Sequence, residues 1–173
     1  MIELERTFLA KYLPKNLKNS PHIEMIDIYH PKTAVHPCLR LRKNGDEYVI
    51  TKKTPVNEND KSVQHEQTII LTEKEFKSLF KAHGKVLEKI RYFYTEDNTT
   101  MEIDVFKGAL EGLVLVDAEF TSEKEMKKFI IPDFCLVDVT QDDFVAGGML
   151  AGKKYSDIAS ELAEFGYNRI SGK

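Results

Sequence analysis

Hydrophobic and polar residues alternate with a period of two almost from the start of the chain. In residues 2–8 (IELERTF), Glu3, Glu5 and Thr7 fall on one side of an extended segment, and Ile2, Leu4, Arg6 and Phe8 on the other. The same opposition of ionic and apolar positions returns repeatedly. Arg40 and Arg42 alternate with Leu39 and Leu41, and Lys89 and Arg91 with Ile90 and Tyr92. Glu102 and Asp104 oppose Met101, Ile103 and Val105; Asp117 and Glu119 oppose Val116, Ala118 and Phe120. Further strands are predicted at residues 22–29, at 47–54, where Val49, Thr51 and Lys53 share a face, and at 63–71, with Glu66 on the Gln64/Thr68 face. The turn Lys43-Asn44-Gly45-Asp46 joins residues 38–42 to 47–54, and Asn-Gly between two alternating runs marks a hairpin.

Three segments carry helical spacing. Thr72-Glu73-Lys74-Glu75 is a capping box, followed by an apolar stripe of Phe76, Leu79 and Phe80 and closed by Gly84. Ser122-Glu123-Lys124-Glu125 opens a second helix, running through Phe129 and closed before Pro132. Ser156 is the expected cap of a third, with Ile158, Leu162 and Phe165 inward and Gly166 as its stop. Residues 133–140 hold a short strand at best, and Gly147-Gly148 reads as a break.

Two structures satisfy this pattern. In an open sheet the charged face is solvated surface, and each charge pair across strands adds only about 0.2–1 kcal/mol. In a closed sheet the charged face is the interior, and the three amphipathic helices cover the apolar exterior. A barrel of about eight strands is just wide enough for one small ligand. Burying so many ions without partners costs several kcal/mol each, so acid–base pairing or a polyanion with its metal has to offset the cost. Arg and Lys suit a phosphate chain, and carboxylates suit a hard divalent cation. The expected class is α+β, mainly β: a closed eight-stranded antiparallel barrel, or tunnel, with covering helices.

Composition narrows the partners. The 173 residues fit one domain, 1–173, with a substantial core. A net charge of −3 argues against a nucleic-acid binder that works through a basic surface. There is no signal-peptide pattern and no apolar run approaching a membrane span. The two cysteines, Cys38 and Cys135, have no metal-ligand spacing and fit the reducing cytoplasm.

Glu3-Leu4-Glu5-Arg6-Thr7-Phe8 resembles the N-terminal ExExK signature of the CYTH superfamily, the triphosphate tunnel metalloenzymes. The resemblance runs nearly end to end, through Leu39-Arg40-Leu41-Arg42, the strand ending in Lys53, the Glu66 strand, Glu88-Lys89-Ile90-Arg91-Tyr92, Glu102-Ile103-Asp104-Val105-Phe106 and Val116-Asp117-Ala118-Glu119-Phe120. It implies an eight-stranded tunnel that hydrolyses triphosphates or, in some members, cyclises ATP. It places metal binding, of Mg²⁺ or Mn²⁺, on Glu3, Glu5, Asp117 and Glu119. Arg40, Arg42, Lys53, Lys89 and Arg91 become phosphate clamps, and Glu66 joins them in substrate binding. Catalysis falls on Glu3, Glu5, Lys53, Lys89 and Arg91, with Glu102 and Asp104 orienting the clamp.

Three departures stand against the family pattern. Thr7 replaces the Lys of the signature, Thr68 replaces the second acid of the Glu66 strand, and the C-terminal closing segment reads Phe144-Val145-Ala146-Gly147-Gly148. The expected function is a metal-dependent triphosphate phosphohydrolase acting on a small-molecule triphosphate, as a monomer or homodimer, without nucleic acid or membrane. The alternatives are a non-catalytic binder of triphosphate, nucleotide or polyphosphate, and an adenylate cyclase.

Overall fold

The first strand is also the seam of the sheet. The computed structural model describes residues 2–33, 39–80, 84–96 and 99–171; Cys38 and the turn at Asp97-Asn98 lie outside them. Among the described residues there are nine strands: β1 (Ile2–Ala10), β2 (His22–His30), β3 (Leu39–Asn44), β4 (Glu47–Asn57), β5 (Asp60–Leu71), β6 (Lys85–Glu96), β7 (Thr99–Phe106), β8 (Val114–Phe120) and β9 (Cys135–Asp138). They form one sheet in the order β5-β4-β3-β2-β6-β7-β8-β1-β9. β1 pairs antiparallel with β8 over residues 4–9 and, at its start, with β5, where Glu3 lies opposite Gln64. The β5–β1 pairing closes eight strands into a barrel. β9 takes β1's edge farther along, opposite Phe8, Leu9 and Ala10, and the pair Arg6–Asp138 fastens it there.

The hairpin forms at the expected place, with Asn44 opposite Glu47 and Gly45 at a φ of 59°. Only glycine takes that conformation without steric cost.

Helix α1 (Glu73–Phe80) has the predicted capping box: Glu75 accepts from Thr72 N and Oγ1 at 2.7 Å each, and Glu75 N donates to Thr72 Oγ1 at 3.3 Å. Only Phe76 of its expected stripe is buried, against Ile28 and Leu41; Leu79 and Phe80 stay exposed. Helix α2 (Glu123–Lys128) is capped by Ser122, but Glu125 reaches back to Thr121 rather than to Ser122. Its flank, Met126 and Phe129, packs on the outer-wall cluster of Phe8, Val114, Val116, Ala118 and Phe120.

The C-terminal region departs from the sequence reading. Gly147-Gly148 is no break but the start of a one-turn helix, α3 (Gly147–Leu150). Ser156 caps nothing: it lies within a 3-10 turn, Tyr155–Asp157, whose Asp157 accepts from Lys154 N, and helix α4 (Ala159–Glu164) begins beyond it without a side-chain cap. Ile158 and Leu162 are buried as expected. They do not cover the outer wall. They pack with Leu9, Leu87, Phe106 and Leu115, which lie an even number of residues from Glu5, Lys89, Asp104 and Asp117 and so share the inner face with them. With Val139, Val145 and Leu150 they floor one end of the barrel. Tyr167 locks the tail down, its hydroxyl accepting from Val114 N and donating to Gly112 O, both at 2.8 Å. Among the described residues no helix is long and apolar enough to cross a membrane.

Candidate functional site

Closure decides between the two readings of the alternation. Glu3, Glu5, Arg40, Arg42, Lys53, Glu66, Lys89, Arg91, Glu102, Asp104, Asp117 and Glu119 all line one cavity of about 720 Å³ inside the barrel. Leaving aside Glu58, Lys61, Asp142 and Asp143 of the lining, that makes seven carboxylates against five cations among the described residues. The interior is therefore acidic, and its ions fall into three groups.

The first surrounds Lys53. Its ammonium pairs with Glu3, lies 3.3 Å from Glu5 Oε2 and 3.7 Å from Glu66 Oε2. Strand register explains the gathering, since Lys53 is directly opposite Glu66, and the β5–β1 closure brings in the acids of β1. Glu5 also stands directly opposite Glu119 on β8, an arrangement of like charges that destabilises a sheet unless a cation intervenes. Burial, with help from Asp117 and Glu3, pushes the Glu5 carboxyl up to about 7 against the pull of Lys53. Burial and Glu3 raise Glu119 as well. Burial works against the Lys53 ammonium, yet Glu5 and Glu3 together hold its pKa above the ordinary lysine value.

The second group is built on Asp104. Arg91 grips it with two hydrogen bonds of 2.7 Å, Lys89 pairs with the Oδ2 that also accepts from Arg91 Nη2, and Arg91 also pairs with Glu102. Arg91 Nη2 lies 3.6 Å from Asp117 Oδ2. Despite burial, Arg91 and Lys89 hold the Asp104 carboxyl far below the usual range. Burial and the neighbouring Arg91 lower Lys89.

The third group is one the sequence reading missed. Asp27 on β2 lies directly opposite Arg42 and receives it through two bonds, Nε to Oδ1 at 2.6 Å and Nη2 to Oδ2 at 2.7 Å. Burial opposes its charge, but Arg42 holds Asp27 down at about 2. The signal was a single carboxylate in the apolar run Met25–Tyr29. Tyr29, also missed, lines the cavity, and burial raises its hydroxyl to about 12.

Arg40 differs from the other four cations. Among the described residues it has no ion pair, and its buried Nε has no hydrogen-bond partner. Its side chain lines the cavity beside the Tyr29 hydroxyl, to which it is hydrogen-bonded.

The departures from the family pattern are occupied by hydroxyls. Thr7 Oγ1 donates to Asp117 Oδ1 at 2.7 Å, and Thr68 Oγ1 donates to Glu66 Oε1 at 2.7 Å while meeting Thr51 Oγ1 at 3.1 Å. The floor adds residues that the sequence reading did not select, among them Val139, Thr140, Val145 and Gly147. Gly147 is confined by Tyr29, whose hydroxyl would lie 2.0 Å from any Cβ at that position.

Among the described residues no three His, Cys, Asp or Glu side chains converge closely enough to hold a cation as they stand. The donor chemistry nonetheless suits a hard divalent ion: carboxylates on adjacent strands, two of them in register, with Lys53 lying between Glu3, Glu5 and Glu66.

No family model matches the chain. It is 35% identical over 144 residues to an inorganic triphosphatase of Nitrosomonas europaea, a match that covers 82% of this chain and 91% of the relative. The crystal structure of an inorganic triphosphatase aligns with a TM-score of 0.64 at 30% identity, covering 87% of this chain and 95% of that one. A conserved hypothetical protein of Pyrococcus furiosus is similar in fold alone, with a TM-score of 0.51 at 21% identity over 72% of this chain and 82% of that one.

Proposed function

Because the chain belongs to the CYTH superfamily, the triphosphate tunnel metalloenzymes, we propose that it hydrolyses a small triphosphate, inorganic triphosphate above all, with the help of Mg²⁺ or Mn²⁺. The observation that carries this reading is the cavity itself. Five cations and seven carboxylates share one closed barrel, and Arg40 is left without a counter-ion among the described residues.

A phosphate chain is bound first by charge. Arg40 offers a charge with no ion pair among the described residues, and Arg42, Lys53, Lys89 and Arg91 supply the remaining positive wall. Their own acids fix the geometry: Asp27 orients Arg42, while Asp104 and Glu102 orient Arg91 and Lys89. Preorganised cations aimed at the phosphoryl oxygens stabilise the charge that builds in the transition state. Glu66, beside Lys53 and held by Thr68, borders the same space. With this excess of carboxylates, a bare polyanion is repelled unless a divalent cation accompanies it. Glu3, Glu5, Asp117 and Glu119 would hold that ion. Once bound, it supplies charge neutralisation at the phosphate oxygens and a more acidic water. The apolar part of the floor, Val139, Val145 and Leu150, limits water at that end of the barrel. We place the protein in the cytoplasm, where Cys135, buried and with its thiol pushed up to about 12 by burial, stays reduced.

A second reading, a triphosphate binder without turnover, is favoured by Thr7, which leaves position 7 without a cation and spends its hydroxyl on Asp117. Melting curves with tripolyphosphate, with and without Mg²⁺, test the binding that both readings share. A ligand at 100 times its dissociation constant stabilises by about 2.7 kcal/mol. The shift is expected to be larger with Mg²⁺. No shift under any condition contradicts both readings.

A further inference from the structure

Lys53 occupies the position that the proposed metal needs. Its ammonium lies among Glu3, Glu5 and Glu66, and Glu3 and Glu5 are the two acids of β1 assigned to the divalent ion. The contact with Glu3 is an ion pair at the closest range of the three. A lysine ammonium and a divalent cation cannot both sit on the same carboxylate oxygens, because they need the same lone pairs and the same space and their like charges repel at contact distance. The lysine stem is long and flexible, so the ammonium can leave by rotation without moving β4.

We propose that Lys53 is an internal counter-ion that competes with the divalent cation for Glu3 and Glu5, and that metal binding drives its ammonium into the cavity toward the phosphate chain. The inference rests on the metal-binding part of the function proposed above. It gives one side chain two positions: on the acids without metal, and toward Arg40 and the substrate with it. Arg40 lies opposite Thr51, which shares the inner face with Lys53, and its charge already opposes that of Lys53. A displaced ammonium there adds a second positive group beside the Arg40 guanidinium, which has no ion pair among the described residues. Metal therefore improves triphosphate binding twice, by neutralising the acids and by releasing a clamp. Linkage makes the effect reciprocal: triphosphate that holds Lys53 forward vacates the acids for metal.

The test is Mn²⁺ binding to the full chain by titration calorimetry, without triphosphate. Lys53→Met is expected to bind Mn²⁺ about tenfold more tightly than wild type, within the range usual for coupled sites. The control Lys61→Met removes the same charge from another part of the cavity lining, where Lys61 pairs with Asp143, and is expected to leave the Mn²⁺ affinity within about twofold. Unchanged affinity in a folded Lys53→Met protein, or an equal gain in the control, overturns the proposal. Should Lys53→Met fail to fold, acylation of native wild-type protein, read by mass spectrometry at Lys53, decides instead. Mg²⁺ alone is expected to raise labelling at that residue, and unchanged labelling overturns the exchange. Failure here is separable from failure of the hydrolytic reading. A wild-type protein that releases no phosphate contradicts hydrolysis but leaves the Mn²⁺ result standing, and an unaltered Mn²⁺ affinity contradicts the exchange alone.

Discussion

Thr7 and Asp117 face each other directly across β1 and β8, and the Thr7 hydroxyl donates a 2.7 Å hydrogen bond to Asp117 Oδ1. The same residue's backbone NH donates to Thr140 Oγ1 at 3.0 Å, so position 7 ties the acidic wall to the segment that floors the cavity. A hydroxyl stands where the family pattern leads one to expect the ammonium of a lysine.

Replacing Thr7 by Lys puts an ammonium opposite Asp117, inside an interior that carries too much negative charge. Part of the new charge is neutralised by Asp117, and the rest reaches the cavity. A charged hydrogen bond is worth about 1.5–3 kcal/mol before that loss. Thr7→Lys is therefore expected to tighten tripolyphosphate binding by roughly three- to tenfold, at 1.4 kcal/mol per factor of ten. Calorimetric titration in the presence of Mg²⁺ checks this. Equal affinity means that position 7 does not reach the ligand.

Asp27 and Arg40 separate stability from binding. Asp27→Asn leaves the buried Arg42 guanidinium without its counter-charge, and breaking a buried pair costs about 3–5 kcal/mol. Arg40→Ala removes a cation with no ion pair among the described residues, so its stability cost stays below about 1 kcal/mol while tripolyphosphate affinity falls at least tenfold. Urea unfolding and titration of both variants give the comparison. The reverse pattern, a large stability loss for Arg40→Ala with unchanged affinity, would show that Arg40 serves the fold.

Glu5 sets a pH dependence. Burial first, then its acidic neighbours, raises its carboxyl from 4.5 to about 7. The folded protein thus holds the proton more tightly than the unfolded chain, and its stability falls as pH rises from about 4.5 to 7, with the cost in full force above. At about 1.4 kcal/mol per pH unit the cost reaches about 3 kcal/mol at most. Glu5→Gln is expected to melt higher than wild type at pH 8, to show no advantage at pH 4.5, and to lose phosphate release. Identical melting profiles at the two pH values would contradict the burial of this charge.

Much of this architecture was legible because a strand's period of two survives closure unchanged. Glu3 with Glu5, Arg40 with Arg42 and Glu102 with Asp104 each declared a face, and closing the sheet only decided which side was inside. Asp27 was not legible. Its meaning depends on the register that sets it opposite Arg42, and register is a property of two strands rather than one. The floor was hidden for a different reason. Residues 139–150 are irregular, with 3-10 and single-turn pieces that carry no period, and they meet strands more than a hundred residues earlier, as Thr140 meets Thr7. The misplaced cap at Ser156 has the same origin: a 3-10 turn precedes α4 and consumes the residues that look like its start. Hydroxyls at positions 7 and 68 read in the sequence as missing charges, whereas their hydrogen bonds to Asp117 and Glu66 are visible only in three dimensions.

The most direct test of the central claim is phosphate release from tripolyphosphate by the purified chain, with Mg²⁺, with Mn²⁺ and with a chelator. Wild type is expected to release phosphate with either metal, to fall to background with the chelator, and to lose at least a hundredfold in rate as Glu3→Gln, about 2.7 kcal/mol of transition-state stabilisation. Wild-type release that persists undiminished in the chelator, or that Glu3→Gln leaves unchanged, would contradict a metal-assisted reaction inside this barrel.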